Sequence, residues 1–296
     1  MNNEPNWEWY RTFLSVVDTG SLSAAGRALG LTQPTVGRHI DSLEAALSLK
    51  LFIRSFDGYA PTDAARELQP YAATVAATTA ALLRVASSQG DGVRGSVRIA
   101  ASDVIGVEVL PPILAALRAA HPALVLELVL SNTIEDLLRR DADIAVRMVQ
   151  PAQDALVARR VGVIDVGMFA QRRYLDAHGV PATVDELPGH ALIGYDRETP
   201  AIRRWLTSFP AFARARLALR CDSDLAQLAA IRAGFGIGWC QAGLAARDPG
   251  LVRVLPQTAA LALPTWIVMH EDLRASPRCA ATFAALVTGL TAYIGG

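Results

Sequence analysis

Three short helices, closely spaced and punctuated by glycine, are predicted between residues 7 and 50, and they limit the fold of the chain more than any other feature. The first helix carries one apolar face and ends at Gly20. The second, Leu22–Leu29, stops at Gly30, and Thr32 caps the third. Two short helices joined by a tight turn that contains glycine are typical of a helix-turn-helix.

The segment after the third helix changes character twice. Residues 51–62, LFIRSFDGYAPT, are predicted to form a two-stranded wing around Asp57-Gly58. From 63 to about 88, apolar and small residues alternate at spacings of four and three, which predicts a long helix with a seam for a second helix. Packing of this seam on the chain's own domain is the alternative, and Pro70 is expected to kink the helix slightly. The seam consists of Leu68, Ala72, Val75, Thr79, Leu82 and Ala86.

Strand and helix patterns alternate from a glycine-rich hinge at 90–95 to the end of the chain. Strands are predicted at 96–101, Leu124–Leu130 and Ile144–Arg147, with intervening helices. This rhythm is typical of a parallel sheet with helices on both faces. Further strands are predicted at 167–170, 192–195, 217–221, 237–240 and 265–269, and helices near 106–120, 134–140, 172–178, 224–233 and 277–293.

Composition excludes several classes of protein. Hydrophobic residues make up 52% of the 296 and charged residues 19%, so the chain is not globally disordered. We find no uninterrupted apolar run that would span a bilayer and no signal peptide, which predicts a cytoplasmic protein without membrane contact. The histidines lack metal-ligand spacing, and no cofactor-binding or catalytic motif is found. We therefore expect no metal, no cofactor and no catalytic residue.

Several short motifs in one register carry a resemblance to the LysR-type transcriptional regulators of bacteria. The first motifs are Ser-Leu-Ser-Ala-Ala at the start of the second helix, Thr-Gln-Pro-Thr-Val at the start of the third, Leu43-Glu44, Leu51-Phe52 and Pro61-Thr62. The later chain is similar to the family's effector domain at Leu110-Pro111, His121-Pro122, Asp143-Ile144 and Ala233-Gly234. The resemblance covers nearly the whole chain and implies a sequence-specific DNA-binding regulator that a small-molecule effector modulates.

The resemblance also implies a fold class and an assembly. An all-α winged helix-turn-helix with a long linker helix would precede an α/β effector domain of two subdomains, like those of type 2 periplasmic solute-binding proteins. The family forms dimers that assemble into tetramers. The expected divisions are a DNA-binding domain at 1–62, a linker or dimerisation helix at 63–89 and an effector domain at 90–296, with subdomain I at about 93–163 and 265–296 and subdomain II at about 164–264.

The start of the third helix is the predicted surface for reading double-stranded promoter DNA. A recognition helix reads the major groove with exposed residues near its N-terminus, here opposite Val36 and Ile40. Glutamine suits adenine, and arginine suits guanine or phosphate. A solvated surface position is the alternative for each residue. The predicted contacts are Gln33, Pro34, Thr35, Arg38 and His39 on the helix and Arg54 on the wing.

Two features distinguish this DNA-binding domain. It carries no net positive charge, so a monomer should bind weakly and self-association should be required. Its basic residues are Arg11, Arg27, Arg38, Lys50 and Arg54, and its acidic residues are Glu4, Glu8, Asp18, Asp41, Glu44 and Asp57. It also departs from the family at Gly26, usually alanine, at Gly37, often serine, and at Ser48 and Ala65, commonly glycine. Gly37 lacks a hydroxyl that could contact DNA.

The predicted effector site lies beyond the carboxyl ends of the strands, at helix N-termini that favour anions. A small carboxylate-bearing metabolite is therefore the predicted effector. Helix capping by the serines and an ion pair of Arg147 with Asp143 or Asp165 are the alternatives. The candidate residues are Ser102 after the first strand, Ser131, Asn132 and Thr133 after the second, Arg147 at the end of the third, and Ser223 before a later helix.

Three other functions were weighed. In a redox sensor Cys221 and Cys240 would have to pair, although they fall in separate elements and the third cysteine, Cys279, is isolated too. An enzyme built on the α/β half would need a catalytic motif. A solute-binding protein without DNA activity would leave the helix-turn-helix unexplained.

Overall fold

A computed structural model of the chain describes residues 5–55, 58–87, 92–132, 142–151, 156–258 and 260–295. These residues fall into two units, one up to residue 87 and the other from residue 92 onwards. The helix predicted at 134–140 lies outside the described residues.

The first unit begins with three helices, α1 (Trp7–Thr19), α2 (Leu22–Leu29) and α3 (Gln33–Leu47). The predicted helix ends are confirmed, since Gly20 and Gly30 each adopt the left-handed conformation directly after a helix. The side chain of Thr32 accepts a hydrogen bond from the amide of Thr35 at the start of α3. The shared core of the three helices contains Phe13, Val16, Val36, Ile40 and Leu43.

A short hairpin and a long helix complete the first unit. The hairpin pairs β1 (Phe52–Ser55) with β2 (Gly58–Pro61) in antiparallel register, as the wing prediction requires. It is followed by α4 (Asp63–Ser87). The seam of α4 has two parts: Ala72 is buried against the three-helix core, whereas Val75 and Leu82 are 49% and 65% exposed. The side chain of Ala86 lies outside the described part.

The second unit is built on a seven-stranded sheet in the order β10-β6-β11-β5-β3-β4, with β9 paired to β6. Its strands are β3 (Gly95–Ala101), β4 (Leu124–Leu130), β5 (Ile144–Arg147), β6 (Leu156–Gln171), β9 (Gly238–Gln241), β10 (Leu251–Val254) and β11 (Ala260–His270), and a small parallel pair forms from β7 (Ile193–Gly194) and β8 (Leu219–Arg220). The prediction of a parallel sheet is wrong for most of it. Among the described strands of the seven-stranded sheet, β4, β3 and β5 are parallel neighbours and the other pairs are antiparallel.

The mixed sheet arises from two long strands, β6 and β11, that run antiparallel to each other along the unit. Sequence reasoning had placed only short strands there, because the solvent-facing residues of β6 break its apolar pattern. Gly162 pairs with Thr265, and the register shifts between Thr265 and Trp266. That irregularity lies beside the two positions, near 163 and 265, at which the chain is expected to cross between subdomains.

Helices cover this sheet. They are α5 (Leu110–Ala120), which continues from a π-helical turn at Ile105–Val109, α6 (Arg172–His178), α7 (Pro200–Leu206), α8 (Asp224–Arg232), α9 (Ala242–Ala245) and α10 (Pro277–Gly295). Contrary to our expectation from sequence, one described helix, α10, is long and apolar enough to cross a membrane. It packs on β3, β6, β11 and α5 and buries Cys279, Leu286 and Leu290 in the core of the unit, which accounts for its composition.

Candidate DNA-reading surface and effector cavity

Helix α3 separates its predicted DNA-reading residues from its core residues. Gln33, Pro34 and Arg38 are exposed, while Thr35 and His39 are half-buried. Val36 and Ile40 lie in the core on the opposite face. The backbone of Arg54 pairs with Tyr59 in the wing, but its side chain lies outside the described part. The helix thus presents one polar edge near its N-terminus, where a recognition helix contacts bases.

A serine on α2 fixes the orientation of the Gln33 amide. The Ser23 hydroxyl donates a hydrogen bond to Gln33 Oε1 at 2.9 Å. This leaves the Gln33 amino group as the outward donor and one lone pair on Oε1 as an acceptor, the pattern that pairs with adenine. The Thr35 hydroxyl lies 2.8 Å from that of Thr32. All four residues belong to the two motifs quoted for the starts of α2 and α3. Their spacing in the sequence, however, does not predict the contact between Ser23 and Gln33.

His39 is hydrogen-bonded to Thr12 of α1. The Thr12 hydroxyl donates to the Glu8 carbonyl at 2.7 Å, and it lies 2.9 Å from His39 Nδ1. A hydroxyl has one proton, so Nδ1–H of His39 must donate to Thr12. Nε2 of the neutral ring is then an acceptor only, and it could donate to a DNA phosphate only when the ring is protonated.

The two unusual glycines of this region differ in what they require. A Cβ on Gly26 would lie 2.7 Å from the Leu31 carbonyl oxygen, so the turn between α2 and α3 sits against this glycine and an alanine would displace it. A Cβ on Gly37 would meet only Leu22 Cδ1, at 3.7 Å. The turn between α2 and α3 therefore requires glycine at residue 26, whereas a serine would fit at residue 37.

Glu44 anchors the wing to α3, a role that sequence reasoning missed. Its carboxylate is 7% exposed and accepts the amides of Leu51 and Phe52 at 2.8 and 3.3 Å and the Lys50 ammonium at 2.5 Å. Burial raises the pKa of Glu44, but the hydrogen bonds from Lys50, Leu51 and Phe52 outweigh it, so the pKa is lowered. The carboxylate thus fixes the start of the strand that carries Arg54.

A cavity of about 470 Å³ lies inside the second unit. Trp205 and Trp239 form part of its wall, with ring centroids 5.2 Å apart in an edge-to-face contact. The other lining residues are Ser102, Val104, Met148, Val166, Tyr195, Ile202, Asp224, Gln227, Leu228, Cys240, Gln241, Leu244, Leu261 and Leu263. Its size and mostly apolar wall are those of a small-molecule site.

Of the residues predicted to bind an effector, Ser102 lines this cavity. Arg147 is buried at the end of β5 and is not among the lining residues, and Ser131 donates its amide to the Ala101 carbonyl at 2.9 Å. Ser223 caps α8 by accepting the Ala226 amide at 3.3 Å. Thr133 lies outside the described residues.

Asn132, the remaining predicted residue, joins two acidic groups at the cavity. Its side-chain oxygen accepts the Asp103 amide at 3.1 Å, and its amino group lies 3.3 Å from a carboxylate oxygen of both Asp103 and Asp224. Tyr195 donates to the other oxygen of Asp224 at 2.5 Å. Burial, then the charge of Asp103, raises the pKa of Asp224, although the Tyr195 hydrogen bond lowers it.

The aromatic and acidic lining residues Tyr195, Trp205, Asp224 and Trp239 are among those that sequence reasoning missed. Tyr195 and Asp224 are 29 positions apart, and Trp205 and Trp239 are brought together by α7 and β9. A local pattern does not reveal such convergence. The available signal was the neighbouring candidate Ser223, since Asp224 follows it directly as the first residue of α8.

A second group of contacts ties the π-helical turn to α8 and α9. Arg232 donates to both oxygens of Glu108, at 2.7 and 2.9 Å, and Arg247 donates to the Glu108 carbonyl at 2.8 Å. The hydrogen bond from Arg232 lowers the pKa of Glu108. Arg232, which lies one turn after the lining residue Leu228 on α8, therefore already has a carboxylate partner.

The structure bears on the redox alternative. Cys240 is 5% exposed, and burial raises the pKa of its thiol to about 12. Since the thiolate is the reactive form, this thiol is unreactive at neutral pH. Cys221 is half-buried and unbonded to another cysteine.

A winged helix-turn-helix followed by a long helix and an α/β unit with a ligand-sized cavity defines the class of ligand-responsive DNA-binding regulators. Two family models agree with this class. The bacterial regulatory helix-turn-helix protein model of the lysR family matches residues 7–66, and the LysR substrate-binding domain model matches residues 90–291. The chain belongs to the LysR family of transcriptional regulators, and the resemblance, fold class and function inferred from sequence are confirmed.

Individual proteins support the assignment. A Klebsiella pneumoniae protein, probable HTH-type transcriptional regulator LtrA, is 26% identical over 83% of this chain and 81% of its own length. A Xanthomonas campestris HTH-type transcriptional regulator is 30% identical, but the match spans only 60% of this chain and 52% of that protein. The relatives are named as regulators rather than enzymes.

Solved structures show the same fold. CbnR in complex with its target DNA has a TM-score of 0.64 at 19% identity, covering 96% of this chain and 99% of CbnR. AphB, a virulence activator of Vibrio cholerae, has a TM-score of 0.62 at 19% identity, covering 96% of this chain and 99% of AphB.

Proposed function

We propose that this regulator reads its operator through the exposed start of α3, with Gln33 and Arg38 as the base-contacting side chains. Pro34, Thr35 and His39 would flank them, and Arg54 would contact the backbone or minor groove from the wing. The observation that carries the proposal is the Ser23–Gln33 hydrogen bond, which holds an exposed amide in the orientation required for reading adenine.

Arg38→Ala should weaken binding to the operator by about 1–3 kcal/mol, because a bidentate arginine contact supplies that much. Footprinting at the promoter beside the chain's own gene would first locate the site, and fluorescence anisotropy would then measure affinity. Arg11→Ala, an equally exposed arginine on α1, is the matched control. Unchanged affinity of the Arg38 variant would contradict the assigned contact, and a promoter without any protected site would contradict the whole proposal.

Ser23→Ala should reduce discrimination at the base pair that Gln33 reads, by about threefold to tenfold, since one hydrogen bond that orients the amide is lost. Affinity for unrelated DNA should stay unchanged. Binding to a set of operators with single substitutions measures both quantities. A uniform loss across all sequences would instead place Ser23 on a phosphate and contradict its orienting role.

We further propose that α4 dimerises the regulator and that the dimers form the larger assembly of the family. The exposed apolar side chains along α4 support this, because Tyr71, Val75, Leu82 and Leu83 are all exposed. The balanced charge of the DNA-binding unit supports it too, because a monomer lacks electrostatic affinity. In the footprint, two protected half-sites would be the corresponding result. Domain boundaries at 62 and 89 and a cytoplasmic location belong to the same proposal.

The cavity inside the second unit is the proposed effector site. Its volume, its aromatic wall and its few polar groups support a small, largely apolar molecule. The carboxylate effector stays a prediction, and the cavity does not favour it, because no arginine, lysine or histidine is among the described residues that line it.

A further inference from the structure

The chemistry of the cavity wall points to a class of ligand. Aliphatic side chains form the largest group among the described lining residues, and Trp205 and Trp239 add two aromatic rings in edge-to-face contact. Phe209 packs against Trp239 from the core, with ring centroids 4.7 Å apart, and supports that ring. Flat apolar rings pack well on such surfaces. The wall alone therefore favours a ligand with a ring.

One ionisable carboxyl interrupts this wall. Asp224 accepts hydrogen bonds from the Tyr195 hydroxyl and the Asn132 amide, one on each oxygen. Each carboxylate oxygen has a second lone pair. Because Asp224 lines the cavity, a ligand N–H or O–H group is the complementary partner for that unused capacity.

Anion binding is opposed at the same place. The helix start after Ser102 would ordinarily attract an anion. Here the Asp103 amide is already donated to Asn132, and the Asp103 carboxylate itself stands at that helix start. Arg232 is paired with Glu108 through both oxygens. A ligand carboxylate would lose its hydration and face Asp224, and the described lining residues offer it no arginine, lysine or histidine in compensation.

We propose that the effector is a small ring-bearing apolar molecule with an N–H or O–H donor and no carboxylate, held by Asp224 against Trp205 and Trp239. This inference rests on the proposed role of the cavity as the effector site. The donor could be a neutral hydroxyl or an ammonium group, because both satisfy the same acceptor. In this proposal Asp224 selects for a ligand that donates a hydrogen bond, and the two tryptophans bind the ring of that ligand.

Three probes with the same ring and nearly the same length test the proposal on the full-length chain: 2-phenylethanol, 2-phenylethylamine and phenylacetate. Titration calorimetry should show that at least one of the two donors binds about tenfold or more tightly than phenylacetate, as expected for a hydrogen bond to a charged acceptor. The stronger of the two donors identifies a hydroxyl or an ammonium ligand. Either result supports the proposal.

Asp224→Asn should reduce that preference to about threefold or less, by weakening donor binding and strengthening phenylacetate binding. Asp176→Asn, an exposed aspartate on α6 outside the cavity, should leave the preference unchanged. Thermal unfolding of both variants checks that they are folded. If Asp224→Asn proves to be misfolded, Asp224→Glu takes its place and should retain the donor preference, because it keeps the acceptor.

Three outcomes would overturn the inference: tighter binding of phenylacetate than of both donors, a preference that Asp224→Asn does not alter, or no binding of any probe up to about 10 mM, where fragments of this size are expected to bind. Operator footprinting separates this failure from that of the proposed function. A chain that protects its operator but prefers phenylacetate still reads DNA as proposed, and only the ligand class is wrong.

Discussion

Glu44 and Asp224 are two carboxyl groups removed from water, one in each unit, and their surroundings are opposite. Glu44 receives a cation and two backbone amides, so its pKa is lowered. Asp224 receives one hydroxyl and one neutral amide, and its burial beside an apolar cavity, together with the charge of Asp103, raises its pKa although the Tyr195 hydrogen bond lowers it. Glu44, with three donors of which one is a cation, holds the wing in place. Asp224, with two neutral donors and a position on the cavity wall, keeps more unused acceptor capacity, and we assign that capacity to a ligand.

The largest expected effect comes from removing the structural carboxylate of this pair, Glu44. Glu44→Ala should destabilise the first unit by about 2–4 kcal/mol, because the buried amides of Leu51 and Phe52 lose their hydrogen-bond acceptor. Asp224→Asn should cost the second unit less, about 1 kcal/mol, since the asparagine oxygen still accepts the Tyr195 proton and only the hydrogen bond from Asn132 is lost. Hydrogen exchange of the amides of the wing and of α8 measures each unit separately.

Asp41→Ala is the control for Glu44, because Asp41 is an exposed carboxylate one turn earlier on the same helix. Exchange in the wing should stay slow in that variant. Fast exchange in both variants would mean that general charge on α3, rather than the anchor at Glu44, holds the wing.

The first half of the chain was predictable because its signals are local. Gly20, Gly30 and Thr32 end or begin helices through contacts within a few residues, and the Asp57-Gly58 turn signal within residues 51–62 predicts the wing. Glu44 belonged to a recognised motif, yet its role depended on a turn that folds residues 51 and 52 back onto it. The sequence therefore identified the family motif that contains Glu44, but it did not reveal that Glu44 holds the wing.

The effector cavity was much less predictable, and the reason is topological. Strands β6 and β11 reverse the sheet direction, so the rule that ligands meet the carboxyl ends of parallel strands covers only β3, β4 and β5. Of the residues chosen by that rule, Ser102 lines the cavity, whereas Arg147 is buried elsewhere. Asp224 and the two tryptophans come from segments that only the fold brings together.

A pH series sharpens the comparison, because the two carboxyls should affect stability in opposite directions. The lowered pKa of Glu44 means that its contribution is complete above its ordinary value of 4.5 and is lost as pH falls through the folded pKa. The raised pKa of Asp224 means that its contribution is complete below 3.8 and is lost as pH rises through the folded pKa. Each effect amounts to about 1.4 kcal/mol per pKa unit.

Glu44→Gln should therefore flatten the loss of stability of the first unit on acidification, and Asp224→Asn should steepen that of the second. Exchange rates of the wing and α8 amides, corrected for intrinsic pH dependence, report both slopes between about pH 6 and pH 3. Parallel changes in the two variants would show that the carboxyls share one environment type and would break the contrast.

The smallest expected effect tests the turn that delivers the wing amides to Glu44. Ser48 adopts φ 55° and ψ 35°, a left-handed conformation that disfavours a side chain, and it is exposed. Ser48→Gly should stabilise the first unit by about 0.5–1 kcal/mol, the relief of strain less the added entropy of the unfolded chain. Leu255 also has a positive φ, of 50°, but it is buried, so Leu255→Gly should destabilise the second unit instead.

Combining Ser48→Gly with Glu44→Ala completes a double-mutant cycle, measured by hydrogen exchange of the wing amides. If the turn is strained in order to reach the carboxylate, the gain from glycine should shrink once Glu44 is gone, because the turn can then relax by itself. Strictly additive effects would mean that the strain at Ser48 belongs to the helix end alone. In that case the hydrogen bonds from the wing amides to Glu44 form without straining the backbone of the turn.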